Sequence, residues 1–231
     1  MVDFDIKTYR VFDFFGIEIW FTETIRNTWI IMGILILFAI FARIKFFRKA
    51  SEVPNGFQNA IEALVEMFDN FVKDITGKRH HYLGKWFFGI ILFIGVSNIS
   101  GLMLLRPPTA DIATTLALAT ATFFLIHGLS IKASPGKYLK SFLEPVFVFL
   151  PINLISAIAT PISLAFRLFG NVIAGTVIMG LIYNLIPWVG RFIWPGFLHA
   201  YFDLFAGLLH AYIFTVLSLS FIMDKLPSKE D

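Results

Sequence analysis

The stretch EPVFVFLPINLISAIATPISLAFRLFGNVIAGTVIMGLIYNLIP, residues 144 to 187, contains only one charged residue after its first position, and that residue is Arg167. A helix of this length would extend roughly 65 Å, which is about twice the thickness of the hydrocarbon core of a bilayer. The stretch therefore predicts either two membrane spans or one long, strongly tilted helix. Because an arginine at mid-bilayer costs about 2.5–3.5 kcal/mol on insertion scales, water or an anion must offset its charge.

The composition of the whole chain is typical of a membrane protein. Of its 231 residues, 57% are hydrophobic and only 15% are charged, and several apolar runs are long enough to span a bilayer as helices. Lys and Arg residues flank these runs, as topology signals do, and no basic patch predicts a nucleic-acid partner. The chain has no cysteine, which excludes disulfides and thiolate metal sites. Its opening residues lack the pattern of a signal peptide.

We predict an all-α, polytopic fold with about five membrane helices in one integral membrane domain, residues 1–231. Before the third span, Thr109 is expected to cap the helix and Asp111 to lie in its first turn. Most Lys and Arg residues fall on one side of this scheme, which predicts an outer N-terminus and a cytoplasmic C-terminus. The predicted segments are an outer N-terminal segment (1–26), a first span (27–47), an amphipathic surface helix (55–76), two spans within 86–131 (86–105 and 112–131) and the remaining membrane helices over 144–223.

The segment 55–76 is predicted to form an amphipathic helix. Its apolar residues repeat at steps of three and four, whereas its acidic residues lie on the opposite side. Such a helix lies on the membrane surface, packs on the chain's own spans or contacts a partner, and the pattern does not distinguish these cases. The apolar positions are Phe57, Ile61, Leu64, Val65, Phe68, Phe71, Val72 and Ile75.

Arg167 lies on a helical face of small and polar residues. Residues at steps of three, four, seven and eight share a face, and the opposite side here is aliphatic and aromatic. Small residues allow another helix to approach closely, so we expect the guanidinium to face a neighbouring helix. An internal ion pair, or a side chain that extends to the membrane interface, is the alternative. The face consists of Asn153, Ser156, Thr160, Ser163, Gly170, Asn171, Ala174 and Gly175.

The last apolar segment, about residues 196–223, carries a second polar stripe. His199, Asp203 and His210 fall near one side of it. An acid inside a membrane span is functional by default, and stacked Asp and His side chains can pass protons near neutral pH. Alternatively, His199 is an interfacial residue and His210 a core residue with a satisfied hydrogen bond. The sequence contains no phosphate-binding loop and no metal-ligand spacing, so neither a nucleotide site nor a metal site is predicted.

Three motifs resemble subunit a of F-type ATP synthases, and they occur in the same order as in that family. They are PPTADIATTLALA (107–119), PISLAFRLFGNVIAG (161–175) and HAYIFTVLSLSF (210–221). The resemblance runs through most of residues 25–223. It implies a stator subunit of the bacterial cell membrane, without catalytic activity or a cofactor of its own, that contacts a ring of c subunits and the b subunits of the peripheral stalk. It also implies that residues 144–187 form one tilted helix, paired in a hairpin with the last helix.

The resemblance further implies how Arg167 acts. Its permanent charge would attract the ionised carboxylate of each passing c subunit and would stop H⁺ or Na⁺ from leaking between two offset half-channels. Thr176 stands where many bacterial members carry Glu or His, and Asp203 stands where many carry His, so the acid has changed helices. These departures leave the transported ion open between H⁺ and Na⁺. The implied ion-path residues are Asp203 and His210 for the outer path, with His199 on the same stripe and Asp111 near the mouth, Asn153, Ser156 and Thr160 for the inner path, and Asn171 as the polar neighbour of the arginine.

Two other classes of protein are alternatives. A secondary transporter would use Arg167 to hold an anionic substrate, but such transporters often have paired broken helices in two related halves. Only one half of this chain has a buried charge. An intramembrane enzyme would use Asp203 and the histidines, but the sequence has no nucleophile pair for that chemistry.

Overall fold

The fold of the chain is almost entirely helical, which confirms the predicted all-α class. A computed structural model describes residues 8–14, 17–47, 56–77, 80–103, 105–144, 146–185 and 194–226. Short 3₁₀ turns and two π-helical segments connect or extend the helices. The elements are β1 (Thr8–Phe14), β2 (Ile17–Thr22), α1 (Glu23–Ala42), α2 (Gly56–Thr76), α3 (Leu83–Ile99), α4 (Ile112–Ala133), α5 (Pro135–Leu143), α6 (Leu150–Leu185), α7 (Trp194–His199) and α8 (Gly207–Lys225).

Five helical segments within the described ranges are long and apolar enough to cross a membrane. This number confirms the prediction of about five membrane helices. The first segment begins at Glu23, before the predicted start at residue 27, because Thr22 caps α1 by accepting a hydrogen bond from Ile25 N at 3.4 Å. The five segments are Glu23–Lys45, Leu83–Met103, Ile112–Ala133, Phe147–Tyr183 and Gly196–Lys225.

The region 144–187 contains one long helix rather than two spans. Helix α6 is continuous over 36 residues, with Pro161 inside it. At about 1.5 Å per residue it extends about 54 Å, whereas the hydrocarbon core is about 30 Å thick, so the helix tilts or projects from the membrane. Helix α6 packs against α8, as the predicted hairpin requires. Residues 186–193, between α6 and α7, lie outside the described residues.

The buried core lies where α3, α4, α6 and α8 pack together. Phe87, Ile94 and Phe214 are among its fully buried apolar side chains. One polar residue joins two of these helices, because Asn98 Nδ2 donates a hydrogen bond to Gly207 O at 2.9 Å. The glycine allows the two backbones to approach closely at this point.

Thr109 does not cap α4, contrary to the prediction. Its side chain is buried, and its hydroxyl donates a hydrogen bond to Asn98 Oδ1 at 2.6 Å. Asp111 is the N-cap residue instead, because its Oδ1 accepts a hydrogen bond from Ala113 N at 3.0 Å. The Thr109 hydroxyl is bonded to the buried Asn98 amide and so does not cap the helix. Asp111, one position before the first turn of α4, satisfies a free N–H group of the helix instead.

We expect Gly207→Ala to destabilise the contact between α3 and α8. A Cβ atom at Gly207 would lie 2.7 Å from Asn98 Cβ, so the helices would have to separate, and overpacking of this kind costs about 1–3 kcal/mol. Gly89→Ala on α3 is the matched control, since nothing lies within 4 Å of a Cβ atom placed there. Thermal unfolding of the detergent-solubilised protein should show a lower midpoint for Gly207→Ala alone. Equal midpoints for the two variants would contradict the expectation.

The N-terminal segment contains an antiparallel β-hairpin, formed by β1 and β2, that the sequence did not predict. Arg26 Nη1 donates a hydrogen bond to Tyr9 OH at 2.7 Å and so attaches the hairpin to α1. Asn27 Nδ2 donates to Arg106 O at 2.9 Å. The start of α1 is therefore held both by the hairpin and by the loop before α4.

Helix α2 occupies the segment predicted to be amphipathic. Phe68 and Val72, in its second half, are buried in the core that α3 and α8 help to form. Phe57, Leu64 and Val65, in its first half, are exposed. The second half therefore packs on the chain's own spans, while the first half presents an apolar surface outward.

Candidate functional site

Arg167 lies in the middle part of α6, on the boundary between its packed and open faces. Leu164, Ala165 and Leu168 are buried against the neighbouring helices, whereas Phe166 and Arg167 are exposed. Across the part of the chain that the structure describes, the guanidinium forms no hydrogen bond or ion pair. The alternative of an internal ion pair is therefore not supported among the described residues, and the charge faces outward from the subunit.

A small cavity lies beside α6 just beyond the arginine, and we call it the outer cavity after its side of the predicted topology. Asp203 reaches it from the last membrane helix, and Asn171 reaches it from the turn of α6 that follows Arg167. These two polar side chains were predicted to belong to the ion path, and the structure places them in one cavity. The full lining is Asn98, Pro107, Asn171, Val172, Gly175, Phe202 and Asp203.

Asp203 is part of a chain of hydrogen-bonding side chains. His199 Nδ1 lies 2.6 Å from Asp203 Oδ2, and Tyr183 OH lies 3.3 Å from His199 Nε2. The His199 and Asp203 side chains are each 19% exposed, so the pair is largely shielded. When Nδ1–H donates to the carboxylate, Nε2 faces a tyrosine hydroxyl that can donate or accept. The arrangement can hold a proton on either the imidazole or the carboxyl group.

The local backbone explains how an acid fits at this position. Residues Ala200–Ala206 form π-helical turns, which are wider than α-helical turns and frequently occur at functional sites. On the facing segment, a Cβ atom at Gly101 would lie 2.9 Å from Asp203 Cγ. The space for the carboxyl group therefore exists because residue 101 has no side chain.

A larger cavity of about 270 Å³ lies on the other side of the arginine along α6, and we call it the inner cavity. Ser156 and Thr160 line it from α6, and the Thr160 hydroxyl donates to Ser156 O at 2.9 Å. His127 lines it from α4, and Asp224 and Lys225 line it from the end of α8. The other lining residues are Ala119, Phe123, Ile126, Ala157, Pro161, Leu164 and Phe221.

The two cavities lie at different levels along α6, with Arg167 between them. From the rise per residue of an α-helix, Thr160 in the inner cavity is about 10 Å before the arginine and Asn171 in the outer cavity is about 6 Å after it. The inner cavity borders the C-terminal half of α4, and the outer cavity borders the loop before α4. A permanent cation thus separates two polar cavities near opposite ends of the helical bundle.

Besides Arg167, two predicted site residues on α6 line neither cavity. Asn153 Nδ2 donates to Phe142 O at 2.9 Å and to Glu144 O at 3.1 Å, so its amide stabilises the chain between α5 and α6. The Thr176 hydroxyl donates to Val172 O at 2.8 Å, within its own helix. Of the three residues of the inner path that the resemblance implies, Ser156 and Thr160 therefore line the inner cavity and Asn153 does not.

Besides His199, which contacts Asp203 but does not line the outer cavity, two predicted residues of the outer path lie outside that cavity. His210 Nδ1 lies 2.7 Å from Ala206 O, which corresponds to the alternative of a histidine with a satisfied hydrogen bond. Asp111 caps α4. Their roles in ion transport stay predictions.

Several residues that line the cavities or contact the Asp203–His199 pair were not predicted as site residues. Tyr183 contacts His199 across the helical hairpin, and no spacing in the sequence relates the two. The sequence does contain a signal for Asn98, because residues 97–100 (SNIS) form a polar group inside an apolar span. His127 had none, because a single histidine in an apolar helix has no partner in the sequence that indicates its surroundings.

The fold and these cavities define a class of protein. It is an all-helical, multi-pass membrane protein that carries a permanent cation and a shielded Asp–His pair in its apolar helices. Ionisable groups at such positions mark ion pathways and proton relays. Within the ranges that the structure describes, no group of three or more His, Asp or Glu side chains could hold a metal ion.

Comparison with known proteins identifies the family. The model of the family described as ATP synthase A chain matches residues 26–223, and the chain belongs to this family. It is 35% identical over 203 residues to ATP synthase subunit a 2 of Bradyrhizobium sp. (87% of each chain). It is 34% identical over 224 residues to ATP synthase subunit a of Desulfosudis oleivorans (92% of each chain). It is 31% identical over 233 residues to ATP synthase subunit a, sodium ion specific, of Propionigenium modestum (90% of this chain and 75% of that one).

Membership confirms the resemblance carried by the three sequence motifs. The chain is a multi-pass membrane subunit of the F-type ATP synthase complex, and ion transport is the role that the family supports.

Proposed function

We propose that this chain is the ion-translocating stator subunit of a rotary F-type ATP synthase, in which Arg167 separates two half-channels that open toward a ring of c subunits. The observation that carries the proposal is the position of Arg167: it is exposed, and it lies on α6 between the two polar cavities. A positive charge in this position can attract the membrane carboxylate of a partner and repels a cation that would pass from one cavity to the other.

The mechanism follows from the permanence of this charge. Arginine stays protonated at any physiological pH, so it attracts a ring carboxylate in its ionised form and repels a free cation. An ion that enters one cavity cannot reach the other directly and must travel around on the ring. Each elementary charge that crosses 100 mV releases about 2.3 kcal/mol, and this route converts that energy into rotation.

The outer path is proposed to end at the Asp203–His199 pair. A proton that arrives on His199 Nε2 lets Nδ1–H move toward Asp203 Oδ2 across their 2.6 Å contact. Asn171 lines the same cavity as Asp203 and lies in the α6 turn that follows Arg167. Its polar side chain is therefore proposed to lie between Asp203 and the ring. Ser156 and Thr160 are proposed to begin the inner path. The outer cavity faces outside the cell in this scheme, with the C-terminus in the cytoplasm of a bacterium and the stalk b subunits as further partners.

Two versions of this function differ in the transported ion. H⁺ is favoured by the shielded Asp–His pair, because imidazole and carboxyl groups can each accept and release a proton. A sodium-specific version is the alternative, since one relative carries that description at 31% identity. A secondary transporter of an anionic substrate is a weaker alternative that would also use Arg167.

One experiment tests the function and distinguishes these versions. The tagged chain is purified from its native membranes, and we expect a c-type ring to co-purify with it. Vesicles that contain the complex should transport ions when ATP is added, and ATP hydrolysis is then measured with and without Na⁺. A requirement for Na⁺ would establish the sodium version. If the chain purifies without a ring and moves an anionic solute by itself in liposomes, the proposal is wrong.

A further inference from the structure

The inner cavity contains a titratable group that the implied inner path does not use. That path consists of neutral side chains, whereas the structure adds His127 from the facing helix α4. We propose that His127 is the proton-relay residue of the inner half-channel. This inference rests on the proposed function and specifies that H⁺ crosses the inner cavity.

The position of His127 suits exchange with the cavity. Its side chain is partly buried, and the Phe123 ring packs against the imidazole with centroids 4.1 Å apart, edge to face. The Tyr138 hydroxyl lies 2.7 Å from His127 Nδ1. These contacts fix the plane of the ring and occupy one nitrogen, so Nε2 is the nitrogen left for exchange.

Tyr138 can remain bonded to the imidazole in both of its protonation states. When Nδ1 carries its hydrogen and donates it to the tyrosine oxygen, Nε2 is bare and can accept a proton. Uptake at Nε2 gives an imidazolium that still donates from Nδ1, and release from Nε2 restores the neutral ring with no other bond changed. Burial raises the pKa of Tyr138, so its hydroxyl keeps its own proton at neutral pH.

The groups that face His127 are known for each helix packed against α4. Tyr138 comes from α5, and Asp224 and Lys225 come from the end of α8. Helix α6 contributes only the hydroxyls of Ser156 and Thr160, which do not titrate. An acid and a base at the end of α8, with a partly buried imidazole on the facing helix, are the components of a short proton path.

The same lining suits a proton better than a sodium ion. Hard cations select oxygen ligands, whereas imidazole nitrogen favours transition metals and protons. The proton of the Thr160 hydroxyl is already donated to Ser156 O, and the Lys225 ammonium repels any free cation in the cavity. The same ammonium also acts on a protonated His127, so the preference for a proton rests on the imidazole nitrogen rather than on the charge of Lys225.

The test uses the assembled complex in inverted vesicles, with ATP-driven H⁺ pumping measured as the pH on the inner-cavity side is varied. In the wild type, pumping should change with the titration of an imidazole between about pH 5 and 8. His127→Gln should still co-purify with the ring, and its rate of pumping should be lower by about tenfold or more. The change in pumping between about pH 5 and 8, which we call the pH limb, should be absent in this variant. His81→Gln, an exposed histidine before α3, is the matched control and should keep both rate and profile.

A second variant keeps the test decisive if His127→Gln does not assemble. Tyr138→Phe leaves the imidazole in place but removes its hydrogen-bond partner, so the pH limb should persist and shift along the pH axis. An unchanged profile in Tyr138→Phe, or a wild-type rate and profile in His127→Gln, would overturn the relay.

The outcomes also separate this inference from the proposed function. If Arg167→Ala abolishes pumping while His127→Gln behaves like the wild type, the stator function stands and the relay is wrong. If the complex pumps Na⁺ and no H⁺, the relay is wrong and the stator function again stands. Normal pumping in Arg167→Ala would remove the proposed function and the relay with it.

Discussion

Arg167→Ala is expected to abolish ATP-coupled ion transport while the complex still assembles. The side chain is exposed and forms no ion pair with any described residue, so its removal leaves no unpaired acid in that part of the chain. Leu164, Ala165 and Leu168 keep α6 packed on its neighbours. What is lost is the positive charge between the cavities, and with it both the attraction for ring carboxylates and the barrier against direct leakage.

The measurement compares ATP-driven ion transport in inverted vesicles with co-purification of the ring. Arg43→Ala is the matched control, because it removes an exposed arginine from the segment after α1, outside both cavities. We expect ring binding in both variants and transport only in the control. Coupled transport at the wild-type rate in Arg167→Ala would refute the role assigned to the arginine.

Asp203→Asn is expected to slow ion flux strongly without removing the complex. Asparagine preserves the size of the side chain and can still bond His199, so the π-helical turns and the outer cavity should remain. It cannot take up or release a proton, and loss of a positioned acid or base typically lowers a rate by about 10²–10⁴-fold. Flux through the outer cavity should fall toward the lower end of this range, because water can partly replace one step of a path.

The control for this variant is Asp74→Asn, which removes an exposed carboxylate from α2. Flux is followed as the decay of an imposed ion gradient, and assembly as ring co-purification. An Asp203→Asn complex with unchanged flux would exclude Asp203 from the path, whatever the result for Arg167.

The fold could be predicted largely from the sequence because the bilayer imposes lengths. Apolar runs of fixed minimum length predicted the membrane helices. The basic residues beside these runs predict the orientation of the helices in the membrane, and that orientation stays a prediction. The choice between one helix and two in 144–187 required more than length, since both fit. The β-hairpin before α1 was missed because short strands outside a membrane are set by cross-strand contacts rather than by long-range hydropathy.

The site was predictable where it depends on one helix. Arg167, Ser156, Thr160 and Asn171 share a face of α6, and helical periodicity places them together. Contacts between helices were not predictable from spacing, which is why Tyr183 and His127 were missed. On the last helix, π-helical turns at Asp203 change the helical period, and His210 does not line the outer cavity with Asp203. The role of His210 in ion transport stays a prediction.

The wider turns at Ala200–Ala206 allow the parts of the last membrane helix before and after them to face different neighbours. Before them, His199 is oriented toward Tyr183, and after them, Gly207 is set against Asn98. If these residues formed regular α-helical turns instead, the preceding segment would rotate by about 100° relative to α8, because a π-helical turn holds about one residue more than an α-helical turn. Substitutions that change the winding of these turns can therefore change the lining of the outer cavity while α8 stays packed, which gives evolution a route to a different ion pathway on an unchanged scaffold.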